Sequence, residues 1–502
     1  MTATQARPVP TAAPAPARPA PWWRTAGPAM AVGLVSALWG LGRMQLWLDE
    51  AYSLGAVHQL PRSLRETSGT MATYYLLLSA WTSVSESVVW MRSLSVALAV
   101  GSLLLTARLA ERLVGERRAR LVTVLTALSF LWLVYAREAR SYGLVLVLSG
   151  ASWLVFERAV AGDGPGPPRR WWALHTVLAV LLPLTHGLST LQVLAQVALL
   201  AVVGADRATW LRLLRGVGGA LGVTAVLLSG GANQVGDWVA PLSATQVGVA
   251  VNMLTSPFPI GALAMLVLAG AGVRRSIGIA RSTPDRLARF HALLPIAWAV
   301  VPLLLLVALS VARPSLVPRY VLGSIPGIAL LLIAGVDALA ERRPSWRTPV
   351  VVGLVVLMAA GHLHTHRAAD DAWSGATETV AEGAREGDEV LFGAVATRPV
   401  FEAAWRAVED APALPVVGSP RPLGRVLRFD DGTAEDRDRW LAARDLDRVW
   451  LVADVGRGEA PLLDLLLEDA PGRPASHVIA ERWEAAPGGI TVLLLERRQL
   501  DS

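Results

Sequence analysis

Along the first 365 residues, long apolar runs alternate with short polar breaks. Runs fall near 26–46, 90–109, 121–136, 142–160, 171–186, 187–204, 216–232, 247–273, 291–311, 320–340 and 348–362. Set against a hydrocarbon core of ~30 Å, they predict eleven transmembrane helices. One further run, residues 71–85 (MATYYLLLSAWTSVS), is shorter and broken by Thr, Ser and two tyrosines. The arginines decide its place. If it lies on the surface, the clusters at 108–120, 169–170, 207–215, 274–289 and 342–347 share one face with the N-terminal tail. That face is cytoplasmic by the positive-inside rule; if the run crossed, every later cluster would be exported. It is therefore read as an interfacial helix within a long first external loop, residues 47–88. The N-terminus is then cytoplasmic and the C-terminal part extracytoplasmic.

Past residue 365 the period changes. Segments DEVLFGA, RPVFEAAWRAVED, ALPVVG, EDRDRWLAARDL, RVWLVAD and PLLDLLLED alternate strand-like and helix-like patterns. SHVIAERW and GITVLLLERR then flank Pro487-Gly488-Gly489 as a terminal hairpin. Such alternation predicts a small α/β domain with a mainly parallel sheet. The fold class is thus an α-helical polytopic membrane protein with a small C-terminal extracytoplasmic α/β domain. Three parts follow: a Pro/Ala-rich tail over 1–21, expected to be disordered and uncleaved; a membrane domain over 22–365; and the α/β domain over 366–502.

Composition supports this reading. Of 502 residues, 53% are hydrophobic and only 17% charged, with no cysteine. A soluble enzyme built on one core and a disulfide-stapled scaffold are both excluded. Residues 1–369 hold 31 Arg against 14 acidic residues, and residues 370–502 hold 15 Arg against 26. The basic surplus sits in short clusters between apolar runs, which suits a lipid bilayer and not a nucleic-acid partner.

Ionisable groups at membrane depth or just above it are costly, so they mark candidate sites. LWLDEAYSL sets Asp49 and Glu50 directly after the first run. Adjacent carboxylates there could act as a general base, hold a divalent cation, or simply be solvated helix-end acids. YAREARSYGL ends the third run with Arg137, Glu138 and Arg140. If the helix continues, Arg137 and Arg140 share a face, and two guanidinium forks suit a phosphate; interfacial snorkelling is the other reading. Arg319 and Tyr320 open the tenth run, and His186 lies at the turn between the fifth and sixth. All of these fall on one membrane face. His362, His364 and His366 alternate after the last run and read as an incidental linker feature.

The order of these segments resembles the GT-C class of integral-membrane glycosyltransferases. Within it, the order resembles in particular the polyprenyl-phosphate-sugar-dependent protein O-mannosyltransferase and aminoarabinose-transferase group (glycosyltransferase family 39-like). LWLDEAYSL, TYYLLLSAW, RSLSVALAV with YAREARSYGL, and RYVLGSIPGIALLL carry the resemblance. Where family members commonly have a His- or Lys-Pro-Pro before the tyrosines, this chain reads SGTMATYY. The resemblance implies catalytic roles for Asp49 and Glu50, with Asp49 the base or acceptor-binding carboxylate. It implies substrate binding by Tyr74, Arg137, Glu138, Arg140, His186, Arg319 and Tyr320. The implied reaction moves a mannose-like or other sugar, with inversion, from a polyprenyl-phosphate donor to an envelope lipid, glycan or protein. A transporter or lipid flippase without transferase activity is the alternative; it should place charges mid-span and show inverted repeats or broken helices, and Pro257 and Pro259 do interrupt the eighth run.

Overall fold

The computed structural model describes residues 21–43, 46–66, 68–162, 168–229, 239–367, 372–392, 397–405, 408, 441, 443–454, 463–469, 475–484 and 490–498. Almost all of the N-terminal tail, the 413–418 and 435–440 segments and the Pro487-Gly488-Gly489 turn lie outside the described residues. The helices of the membrane domain are α1 (Gly27–Leu38), α2 (Leu48–His58), α3 (Ala72–Thr82), α4 (Val88–Val114), α5 (Glu116–Ala127), α6 (Phe130–Ala136) and α7 (Tyr142–Ala161). They continue as α8 (Pro168–Thr185), α9 (Thr190–Val203), α10 (Arg207–Ser229), α11 (Ala244–Leu254), α12 (Pro259–Ser282) and α13 (Arg286–Ala312). A 3-10 segment, Pro318–Ser324, leads into α14 (Ile325–Arg342), and α15 (Arg347–Arg367) closes the bundle.

Among the described residues, seven helical stretches are long and apolar enough to cross a membrane, and α5 with α6, bent by 60°, passes the same test only when the two are taken together. Helices α1 and α11 are shorter apolar pieces, as is Gly187–Val203, which contains α9. The run 247–273, expected as one span, is two helices. Pro257 lies between them and Pro259 opens α12. Proline lacks the N–H a helix interior needs but fits a first turn.

Helix α3 has eleven residues, about 16 Å of rise, too short for a crossing. It buries Tyr74, Tyr75 and Leu78 and leaves Leu76 exposed. The indoles of Trp81 and Trp90 stack at 4.6 Å, and each donates to the other's backbone carbonyl at 2.8 Å, which clips α3 to the start of α4. Met71, just before α3, has φ 62°, a left-handed value closed to proline.

Two ends of the bundle are distinct. Helices α4 and α7 run in the same direction, with Ser95 against Gly143 at the upper end and Arg112 paired with Glu157 at the lower. The lower end also holds His291 on Glu157, Arg118 and Arg347 on Asp337, Arg275 on Glu341 and Arg286 on Asp206. The upper end receives α2, α3, the 137–141 bend, the His186 turn and the 3-10 segment.

The C-terminal domain holds α16 (Ala372–Gly383), β1 (Glu389–Phe392), α17 (Thr397–Trp405), β2 (Arg448–Asp454), β3 (His477–Glu484) and β4 (Ile490–Arg497). Its sheet order is β1-β2-β4-β3. Among the described strands only β1 and β2 pair in parallel; β4 is antiparallel to both β2 and β3. The expected mainly parallel sheet is therefore mixed. The apolar run of β4, buried from Ile490 to Leu495, takes the central place that a hairpin partner of β3 can reach without a crossover. Helix α17 packs on α2, with Ala403 against the apolar cluster of α2 and α3.

Packing is tightest where α12 meets α14. A Cβ on Gly335 would run into the Leu268 carbonyl, and one on Gly272 into that of Leu331, whereas at Gly353 it would meet open space. Gly335→Ala is expected to lower the thermal unfolding temperature in detergent, by a cost on the order of 1–3 kcal/mol from overpacking. Gly353→Ala, on α15, is expected to keep or raise it. Equal midpoints for the two variants would contradict this packing.

Candidate active site

The acidic pair of the first loop opens α2. Asp49 and Glu50 occupy its first turn, where carboxylates favour the N-terminal end of the helix dipole. Consecutive helical positions are turned by about 100°, so the two acids face different surroundings.

Glu50 faces inward and is fully buried. Its Oε1 accepts from Arg92 Nε at 2.9 Å and from the Ala139 N–H at 2.7 Å. Its Oε2 accepts from an Arg92 terminal nitrogen at 2.7 Å and from the Trp47 N–H at 3.2 Å. Arg92 in turn donates to the Leu41 carbonyl at 2.7 Å. One bidentate pair thus ties the end of α1, the start of α2, the top of α4 and the 137–141 bend together. Both Glu50 oxygens, expected at the reacting centre, are engaged by these donors.

Asp49 faces the other way, and its side chain keeps 18% exposure. Its carboxylate lies 3.7 Å from the guanidinium of Arg140 and 3.7 Å from that of Arg319. Arg140 is anchored by Ser53 Oγ at 3.2 Å and the Tyr75 hydroxyl at 3.3 Å. Burial works against its charge, but Asp49 and the Tyr75 and Tyr142 phenols outweigh it and push the guanidinium above its usual range. Arg319 interacts with the phenols of Tyr142, Tyr135 and Tyr320. Glu138 is also close: burial first, then the charges of Glu50 and Asp49, push its carboxyl well above the usual carboxylate range. Its Oε2 is buried with no hydrogen-bond partner.

His186 sits between the rings of Tyr142, at 6.1 Å, and Tyr320, at 5.0 Å. Burial, followed by Arg319 and Arg140, pushes its imidazole down to about 4. It is neutral near pH 7.

Two expected residues point elsewhere. Helix α6 ends at Ala136, so Arg137 and Arg140 do not share a helical face. Arg137 donates instead to the Gly40 carbonyl at 3.0 Å, and burial with the charges of Arg92 and Arg43 lowers its proton affinity. Tyr74 is buried with its hydroxyl 3.4 Å from Ser95 Oγ; its neighbour Tyr75 is the one that meets Arg140. His362 and His364 lie two residues apart on α15, where helical geometry makes their side chains diverge.

The residues not foreseen are Arg92, Tyr75, Ser53, Tyr135 and Tyr142. Arg92 had a legible signal, a charge inside an apolar run. The tyrosines had none, because an aromatic at a helix end is equally at home in a core.

No family model and no curated protein matches this sequence. Solved structures match its fold. ArnT from Cupriavidus metallidurans bound to undecaprenyl phosphate superposes with a TM-score of 0.58 at 15% identity, over 95% of this chain and 98% of that one. The Archaeoglobus fulgidus oligosaccharyltransferase in complex with Zn and sulfate gives 0.54 at 10% identity, over 92% and 72%. AglB of the same organism, in complex with an inhibitory peptide and a dolichol-phosphate, gives 0.51 at 11%, over 96% and 75%. These likenesses, spanning membrane bundle and C-terminal domain together, show that the chain has the GT-C fold.

Proposed function

We propose that this protein is a membrane glycosyltransferase that moves a sugar from a polyprenyl-phosphate donor to an envelope lipid, glycan or protein acceptor. The observation that carries the reading is Asp49, a partly exposed carboxylate held 3.7 Å from two guanidiniums that come from distant stretches of sequence. The fold adds support, since ArnT and AglB, which share it, were solved with lipid phosphates bound. The arginine-rich lower end fits a cytoplasmic face, which would put the site and the C-terminal domain on the extracytoplasmic side.

The chemistry follows from charge. A lipid phosphate takes Arg140 and Arg319 as two planar forks, stronger donors than neutral groups. Asp49 takes the proton of the acceptor group as its heteroatom bonds the anomeric carbon. The bond from that carbon to the phosphate oxygen breaks, and its electron pair leaves on the phosphate, where the two arginines stabilise it. Attack from the face opposite the phosphate inverts the anomeric centre. Burial and its acidic neighbours push the Glu138 carboxyl well above the usual carboxylate range, which lessens the negative charge beside the donor. Glu50 holds the frame and does not react.

A divalent cation does not fit the Asp49/Glu50 pair. Both Glu50 oxygens are taken by Arg92 and backbone N–H groups, and Asp49 faces two cations. A hard dication needs several free oxygens.

Three outcomes are expected. Asp49→Asn should cut transfer from a polyprenyl-phosphate sugar in proteoliposomes by about 10²–10⁴-fold, with the thermal midpoint unchanged; activity within a few-fold of wild type would end the base assignment. Glu50→Gln should lower the midpoint as well as activity, because it breaks the buried bidentate pair with Arg92, a loss of about 3–5 kcal/mol. Full stability with lost transfer would instead make Glu50 a reacting group. His186→Gln should leave the shape of the pH–rate profile unchanged between about pH 5.5 and 8, a range in which an ordinary histidine would titrate near ~6.5. The folded-state value of about 4 keeps the imidazole neutral throughout that range. Loss of an acid limb near 6.5 in the variant would overturn this.

A further inference from the structure

Arg319 stands on a segment that the bundle holds by polar bonds deep among apolar helices. The Pro318–Ser324 stretch leaves helical geometry at Val321 (φ −111°, ψ 20°). Just beyond that break, the Gly323 carbonyl accepts from Trp298 Nε1 at 2.7 Å and from Ser149 Oγ at 3.2 Å. Ser324 Oγ accepts from Gln192 Nε2 at 3.0 Å, and Gln192 Oε1 accepts from Trp153 Nε1 at 2.9 Å. The Trp153 and Trp298 rings stack at 5.6 Å. Gln192, Ser149 and Ser324 are each at most 2% exposed. A Cβ on Gly323 would lie 2.6 Å from Ser149 Oγ, so the backbone is pressed against its partner.

Polar side chains buried at this depth are costly, and apolar residues of similar volume would pack as well. What the polar groups add is direction. A hydrogen bond fixes one depth and one rotation of the segment, where apolar contact tolerates several. The segment carries Arg319 at its upper end, five residues before Ser324, facing Asp49. We propose that Gln192, on α9, is a positioning residue for Arg319: its bond to Ser324 sets the depth at which the 3-10 segment enters the bundle, and so the gap between the guanidinium and the lipid phosphate. This rests on the reading that Arg140 and Arg319 bind a lipid phosphate.

Helix α9 supplies its own control. Gln196, one turn below, makes a like set of buried bonds, to His175 at 2.7 Å and Ser152 at 3.0 Å, and among the described residues does not bond the 3-10 segment. The experiment measures binding of undecaprenyl phosphate to detergent-solubilised full-length protein. Gln192→Leu is expected to weaken binding about three- to tenfold, the scale of one directed hydrogen bond. Gln196→Leu, with a similar drop in thermal midpoint, is expected to leave affinity unchanged. In an Arg319→Gln background, Gln192→Leu is expected to cost nothing further. If Gln192→Leu fails to fold, Ser324→Ala removes the same bond from the other side and carries the same expectation. Equal effects of the Gln192 and Gln196 variants, or an undiminished Gln192 effect without Arg319, would overturn the proposal. Undiminished binding in Arg319→Gln alone would instead overturn the phosphate role of Arg319.

Discussion

The architecture of the upper end depends on one buried ion pair. Glu50 and Arg92 are almost wholly removed from water, and such a pair is tolerable only when the remaining lone pairs and protons are satisfied. Here they are, by the backbone of Trp47, Ala139 and Leu41. Those backbone groups lie just after α1, just before α2 and in the 137–141 bend, so satisfying the pair also fixes where the chain runs at those points. The first turn of α2 cannot shift without unpairing a buried charge, and Asp49 shares that turn.

Division of labour between the two adjacent acids follows from this. The pair that Glu50 makes is short, bidentate and dry; the contacts of Asp49 are longer, at 3.7 Å, and partly wet. A carboxylate locked at bonding distance into its partners has no free lone pair for a proton. One held near two cations at longer range keeps a lone pair while its cations stay available to an anion. Tyr75, Tyr142, Tyr135 and Tyr320 surround these guanidiniums with phenols, which can orient a planar fork without neutralising it. His186, neutral among them, contributes shape rather than charge.

Elsewhere the bundle divides its forces by depth. Glycines let α12 and α14 approach to backbone contact, where dispersion replaces the hydrophobic drive that lipid cannot supply. The middle layer is stitched by Gln, Ser and Trp side chains, and the lower rim by arginine–carboxylate pairs. The α/β domain rests on α2 through α17, so the helix that bears Asp49 is gripped from below by Arg92 and from above by Ala403 and its neighbours.

The sequence by itself determined the membrane class, that the α3 run is too short to cross, the α/β character of the C-terminal part, and the gathering of Asp49, Arg140, Glu138, His186 and Arg319 at one end. Those follow from hydropathy, length and the placement of arginines, all of which are one-dimensional. Tertiary structure alone decided which of two neighbouring residues points into the site. Asp49 against Glu50 and Tyr75 against Tyr74 are choices of helix phase, and phase is set by what each face packs upon. Arg137 was lost to the site because α6 stops one residue before it, so the spacing of a continuous helix no longer applied. The sheet proved mixed because pairing order depends on which edge β4 can reach, and Arg92 became the central counter-ion because burial leaves a charge no partner but the one the fold brings to it.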